Sequence, residues 1–268
     1  MKTHRIRALR AARTKPLLHA AALALLLGAT TAGAQPAGID PDATLLLRRS
    51  MEYLGGLQRF SVESDNSLEV ILTSGQKLEF DTAAKTTVRR PDRLRAERMG
   101  ERDRQVLYYD GTSLTVSLPA TGHYATAPAP KSLDGALDFA RENLNLEAPA
   151  SDLLATNASD PLTQDLKGAF IVGPSVVAGE RATQIAFRGP EVDFQVWVKD
   201  GVQPLPLKYV ITTKNMSSML AFSVTLRKWN LEPKVPDSLF KYTASADSQE
   251  IDMLTTSPGA AALAAPTK

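Results

Sequence analysis

Side chains able to do acid–base or nucleophilic chemistry are few in this chain. There is no cysteine, and the only histidines are His4, His19 and His123. A zinc site built from Cys and His therefore lacks its ligands, and a cysteine nucleophile is excluded. A Ser-His-Asp arrangement would have to run through His123. No G-x-S-x-G elbow, Walker loop or G-x-G-x-x-G stretch occurs. Carboxylates cluster at Glu63, Asp65, Glu69, Glu79 and Asp81. Their spacing of two places them on one face of strands, where a solvated surface explains them without a paired-acid mechanism. Arginines cluster too: Arg89, Arg90, Arg93, Arg95, Arg98, Arg102 and Arg104 lie among Asp92, Glu97, Glu101 and Asp103. With no aromatic interleaved, the stretch does not read as a nucleic-acid surface. A cross-strand ladder of ion pairs explains most of it. Arg90, Arg93 and Arg95 are the candidates for contacts to phosphate or another acidic group, because a guanidinium grips such groups bidentately.

The N-terminus sets the compartment. Lys2, Arg5, Arg7, Arg10, Arg13 and Lys15 precede the apolar run Leu17–Leu27, and Ala32-Gly33-Ala34 precedes Gln35. A basic stretch, a short apolar stretch and a small-x-small site predict a signal peptide over residues 1–34, cleaved between Ala34 and Gln35. The run is short for a membrane span. The expected product is a periplasmic protein with no integral membrane segment. The whole chain has 31 basic and 29 acidic residues; without the six basic residues of the signal, 25 face 29, a net of −4. No broad basic surface remains to attract nucleic acid.

The elements that would position any site are mostly strands. Asp40-Pro41 predicts a helix start, with Asp40 as N-cap and Pro41 at the first helical position, and Gly55-Gly56 predicts its end. Period-2 segments then fill residues 61–126, in six or seven antiparallel strands, with Asp110-Gly111 as a hairpin turn. Ser132 caps a second helix whose stripe is Leu133, Leu137, Ala140 and Leu144. Five more strands follow, with Asp200-Gly201 turning the third into the fourth and Pro204 and Pro206 near a sheet edge or mouth. Val235–Phe240 reads as a helical turn, and residues 257–268 as a disordered Ala/Pro tail. The expected fold is mainly β with helices (α+β), of about eleven antiparallel strands in one domain over residues 35–256.

Several strands are apolar on both faces. In "RQVLYYD", Val106 and Tyr108 lie opposite Leu107 and Tyr109; in "DFQVWVK", Trp197 shares the polar face with Asp193, Gln195 and Lys199. Such a sheet needs cover on one side and part of the other. Two helices cover a curved sheet incompletely, and the remainder would be an apolar cavity. Alternation nominates its lining: Leu68, Val70 and Phe80 from the first strands, Leu94 and Tyr108 from the middle ones. Phe194, Val196, Trp197, Leu207, Tyr209, Phe222 and Val224 come from the second half.

The stretches "YLGGLQRFSVESDNSLEVILTSGQKLEFDT", "RRPDRLRAER", "YYDGTSLTV", "DFQVWVKDGVQPLPLKYVITTK" and "FSVTLRKWNLEPKVPDSLFKY" resemble a family of predicted periplasmic proteins, domain of unknown function 2092, across about residues 40–251. That family is similar in architecture to outer-membrane lipoprotein carriers (LolA/LolB-like) and to the lipid-binding half of a periplasmic stress regulator. The resemblance implies a curved antiparallel half-barrel with helices covering its concave face. It also implies a non-enzymatic protein, without cofactor or metal, that binds lipid or the acyl chains of lipoproteins as a carrier or chaperone. The alternative is an envelope sensor or interaction module that binds a periplasmic protein partner, for which an exposed Trp197 and the "QPLPL" edge would serve.

Overall fold

The computed structural model describes residues 38–100, 104–144, 150–214 and 220–253. The expected signal peptide, its cleavage site at Ala34 and Gln35, and the expected tail lie outside these. Helix α1 (Pro41–Gly56) begins as expected: the Asp40 carboxylate accepts from the Asp42 backbone N–H at 2.9 Å. Six strands follow: β1 (Arg59–Ile71), β2 (Lys77–Arg89), β3 (Arg93–Met99), β4 (Arg104–Tyr109), β5 (Ser113–Leu118) and β6 (His123–Pro128). Then come α2 (Leu133–Asn143), capped by Ser132 through Gly135 N–H, and the five-residue α3 (Ser159–Thr163). The second strand set is β7 (Gly168–Val177), β8 (Glu180–Arg188), β9 (Val192–Lys199), β10 (Pro206–Thr213) and β11 (Ala221–Asn230). A 3-10 turn at Asp237–Phe240 matches the turn expected around Pro236. The two-residue β12 (Gln249–Glu250) was not foreseen; two residues carry no readable alternation.

All twelve strands form one open, curved sheet in the order β12-β6-β5-β4-β3-β2-β1-β11-β10-β9-β8-β7. Every pairing is antiparallel except that of β12 with β6. The two meanders are joined by β1 and β11, with Asn66 opposite Val224 and Leu68 opposite Phe222.

The sheet has unequal faces. One, here the helix side, meets α1 through Ala43, Leu47, Met51 and Leu54, and α2 through Leu133, Ala136 and Ala140. Against them pack Phe60, Val88, Leu94, Tyr109 and Leu114 from the first meander and Ile185, Phe187, Phe194, Val196 and Tyr209 from the second. The Tyr109 hydroxyl donates to the Pro130 carbonyl at 2.6 Å, and burial pushes it up to about 12. Burial also raises Tyr209.

The far side is covered in two places. Residues 231–253 cross β3–β6. Tyr242 lies against Tyr108 and Tyr124 (centroids 5.6 and 4.7 Å apart), Phe240 is fully buried, and Arg89 bonds the Val235 carbonyl and Asp237. Beside β8–β10, Val177, Ala182 and Leu207 form a second small core with Trp197, and Trp229 packs against both this cluster and the main core. The apolar residues on both faces of β4 thus have separate covers.

Alpha 1 ends in two glycines with different surroundings. A Cβ on Gly55 would sit 2.3 Å from the Thr156 carbonyl oxygen, whereas one on Gly56 meets nothing within 4 Å. Alanine ordinarily favours a helix over glycine by about 1 kcal/mol. Gly55→Ala should nevertheless destabilise the protein by about 1–3 kcal/mol, because the backbone of the segment after α2 must move. Gly56→Ala should be neutral or stabilising. Urea unfolding of both variants checks the pair.

Candidate functional site

The pairing registers define what shares the helix side. One transverse row runs Phe80, Leu68, Phe222, Ile211, Phe194, Phe187, Ala169 across β2, β1, β11, β10, β9, β8 and β7. The row changes character along its length. Phe187 and Phe194 are stacked 4.7 Å apart and buried at 3 % and 5 % exposure; Ile211 and Phe222 are half-buried; Leu68 and Phe80 reach 43 % and 50 %. Val70 and Leu78 extend the open end on the same face. The neighbouring row, Thr82, Asn66, Val224, Tyr209, Val196, Ile185, is buried from Val224 onward and turns polar at β1 and β2. An apolar surface therefore continues out of the core onto uncovered strands. A contiguous apolar patch that reaches the surface is the kind of feature that marks a site of contact when it is extensive.

The nominated lining residues separate into groups. Leu68, Val70, Phe80 and Phe222 form the open part of the strip, and Phe194 its buried part. Val196, Tyr209 and Val224 sit in the adjacent buried row, filled by packing. Leu94 belongs elsewhere, beside Val88 and Tyr109 in the first-meander core. Tyr108, Trp197 and Leu207 do not join them. Tyr108 pairs with Arg95 and Thr115 on the far side. Trp197 is there too, opposite Gln184 and Lys208, with the Lys208 ammonium 5.2 Å from its ring. Leu207 turns to the far-side core because the register shifts between Pro206 and Lys208. Trp197 is only half exposed, so the polar-face tryptophan is explained by Lys208, Leu207 and Ala182 packing around it. Ile211, Phe187 and Leu78 were not nominated for the site. The alternation that found their neighbours also marks them, but the row emerges only once the strands are placed side by side.

The three arginines nominated for acidic groups are engaged internally. Arg90 donates to the Leu154 carbonyl at 2.8 Å and the Thr156 hydroxyl at 3.1 Å, and burial lowers its pKa. Arg93 pairs with Asp92 at 2.9 Å. Arg95 pairs with Glu97 at 2.7 Å and lies over the Tyr108 ring. Burial alone would raise Glu97, but bonds from Arg104 and Arg95 outweigh it and hold the carboxyl below its ordinary value. These guanidiniums fasten loops and strands together; they do not face the apolar strip.

The carboxylates lie on the far side. Asp65 and Glu63 take hydrogen bonds from Arg227, which hold Asp65 below the usual range, and Glu69 accepts from Lys77 and the Ala221 N–H. His123 pairs with Leu118 at the opposite end of the sheet from the strip. Among the described residues no group of three or more His, Asp or Glu could hold a metal ion, and no helix is long and apolar enough to cross a membrane. A separate pocket of about 210 Å³ is lined by Val116, Leu118, Tyr124, Ala125, Leu144 and Ile251–Met253. That is below the roughly 300–1,000 Å³ of ordinary ligand pockets.

A family model described as "Predicted periplasmic protein (DUF2092)" matches residues 43–254. The description agrees with the periplasmic localisation and the family expected from the sequence. No curated protein is significantly similar to the chain. Among solved structures, LprF from Mycobacterium bovis is 12% identical with a TM-score of 0.46, over 74% of this chain and 98% of that one. The MucA/MucB complex of Pseudomonas aeruginosa gives 17% identity and a TM-score of 0.41, over 78% and 63%. An outer membrane lipoprotein-sorting protein domain from Vibrio parahaemolyticus gives 8% identity and a TM-score of 0.34, over 74% and 96%.

If Arg90 is a structural clip, its loss appears in stability. Arg90→Leu should lower the unfolding free energy by about 2 kcal/mol, as two hydrogen bonds from a charged donor disappear. Denaturant titration measures it; an unchanged midpoint would contradict the assignment.

Proposed function

The chain belongs to the DUF2092 family of predicted periplasmic proteins, and we propose that it binds an acyl chain of a lipid or lipoprotein along the helix-side strip, without catalysing a reaction. The observation that carries this reading is the gradient along one row of paired residues. Phe187 and Phe194 anchor the row in the core, and Leu68 and Phe80 leave it open.

Physically, a chain laid on the strip gains in proportion to the apolar area it removes from water, about 25 cal/mol per Å². It needs no deep cavity and no charged partner within the row. The rigid floor of paired strands presents the row without prior ordering, which lowers the cost of binding. Among the described residues the far side shows no such row, since residues 231–253 and the Trp197 cluster cover most of its apolar parts. A partner-docking role based on an exposed Trp197 loses its main support, because Lys208 packs over the ring.

Organic extraction of the purified protein followed by mass spectrometry should yield fatty acid or phospholipid in near-stoichiometric amount. Leu68→Asp and Phe80→Asp both sit at exposed positions and should leave the fold intact. Each should reduce the recovered lipid by about tenfold, since burying a Leu or Phe side chain is worth roughly 1.5–3 kcal/mol. Lipid yields equal to wild type in both variants would refute the strip as the binding surface.

A further inference from the structure

The helix side of the sheet is almost without charge. Reading the registers across β1–β6 and β11, its positions are Phe, Val, Ser, Asn and Leu on β1, and Leu, Phe, Thr, Ala and Val on β2. Those of β4–β6 and β11 likewise contain no Lys, Arg, Asp or Glu. The one exception is Arg98. It lies opposite Ala84 on β2 and Gln105 on β4, two residues from Leu94's neighbour Ala96 on the same face. Unlike Arg90, Arg93 and Arg95, it is exposed, and among the described residues no carboxylate pairs with it.

Its distance from the strip suits an amphiphile. Arg98 stands beside Ala84, and Phe80 is four residues further along β2. At about 3.4 Å per residue, with one strand spacing of about 4.8 Å, the separation is roughly 14 Å. One leaflet's acyl chain is about as long, half of the ~30 Å hydrocarbon thickness of a bilayer. Between the two points β2 carries Ala84 and Thr82 on this face, small side chains that are half-buried, while Ser64 beside Ala84 on β1 is buried. From these placements we infer that the ligand is an anionic amphiphile: its carboxylate or phosphate head is met by the Arg98 guanidinium, and its acyl chain runs along β2 over Ala84 and Thr82 so that its far end reaches Phe80, where the strip is open. A guanidinium donates two parallel hydrogen bonds to either head group. The inference rests on the acyl-binding reading above and names the chemistry of the same site.

The test compares laurate with 1-dodecanol, which share a chain and differ in head charge, by calorimetric titration of wild type and Arg98→Gln. Wild type should bind laurate more tightly than dodecanol. The substitution should weaken laurate about fivefold, the range of a partly exposed ion pair, and leave dodecanol unchanged. Arg98→Lys should restore part of the preference, and added salt should weaken laurate alone. An equal laurate-to-dodecanol ratio in wild type and Arg98→Gln, with both ligands still binding, would overturn the role of Arg98 and leave the acyl strip standing. Failure of wild type to bind either ligand would overturn the acyl-binding reading and this inference with it.

Discussion

The pairing of β1 with β11 is the contact on which the rest of the architecture depends. It joins residues 61–68 to residues 222–230 and so makes one sheet of two meanders that would otherwise each end in open edges. Far-side charges reinforce it: Arg227 on β11 bridges Glu63 and Asp65 on β1, and Lys228 reaches Glu63. A left-handed residue at Lys228 accompanies the register shift between Ser61 and Glu63 and lets Trp229 turn to lie 5.5 Å from Phe60. Such a bulge increases local twist, which suits a wide open sheet. Without this pairing Leu68 would not face Phe222, and the apolar row would stop at each meander's end.

Covering a twelve-stranded sheet then becomes a problem of area. Three helices reach only part of one face, and α3 is a single turn. The structure covers the β7–β10 end with α1, the β3–β6 end with α2, and the far side with the C-terminal segment and the Trp197 cluster. Among the described residues nothing covers the distal halves of β1 and β2 on the helix side, and there the strip opens. Their far side carries Glu69, Glu79 and Asp81 with Lys77, so the hairpin is apolar on one face and charged on the other. That polarity orients the opening toward the helix side.

The amphipathic character of individual strands was legible. Period-2 alternation placed Leu68, Val70, Phe80, Phe194 and Phe222 on the buried-type face, and the caps at Asp40 and Ser132 located both long helices. Alternation failed where both faces of a strand are apolar or where a bulge intervenes. Tyr108 and Tyr109 look alike in sequence, yet one meets Tyr242 and the other the main core. Leu207 changed faces through a shift no local pattern announces. The ion-pair reading of the arginine stretch agrees with the pairs Arg93–Asp92 and Arg95–Glu97, but not every partner could be named from the sequence. The charge of an arginine is visible there, but a partner such as the Leu154 carbonyl for Arg90 is distant in the chain.

By itself, then, the sequence determined the strand-rich class, the two long helices and, on strands without a bulge, which residues lie together on one face. These are local properties, set by the two-residue repeat of an extended chain and by capping chemistry within one turn. Only the tertiary structure decided that β1 neighbours β11, which face each cover occupies, and that Leu68, Phe80 and Phe222 form one open strip with Arg98 on the same side. Those relations depend on hydrogen-bonded registers between segments more than a hundred residues apart. Side-chain alternation limits such registers but does not choose among the strands that could satisfy it.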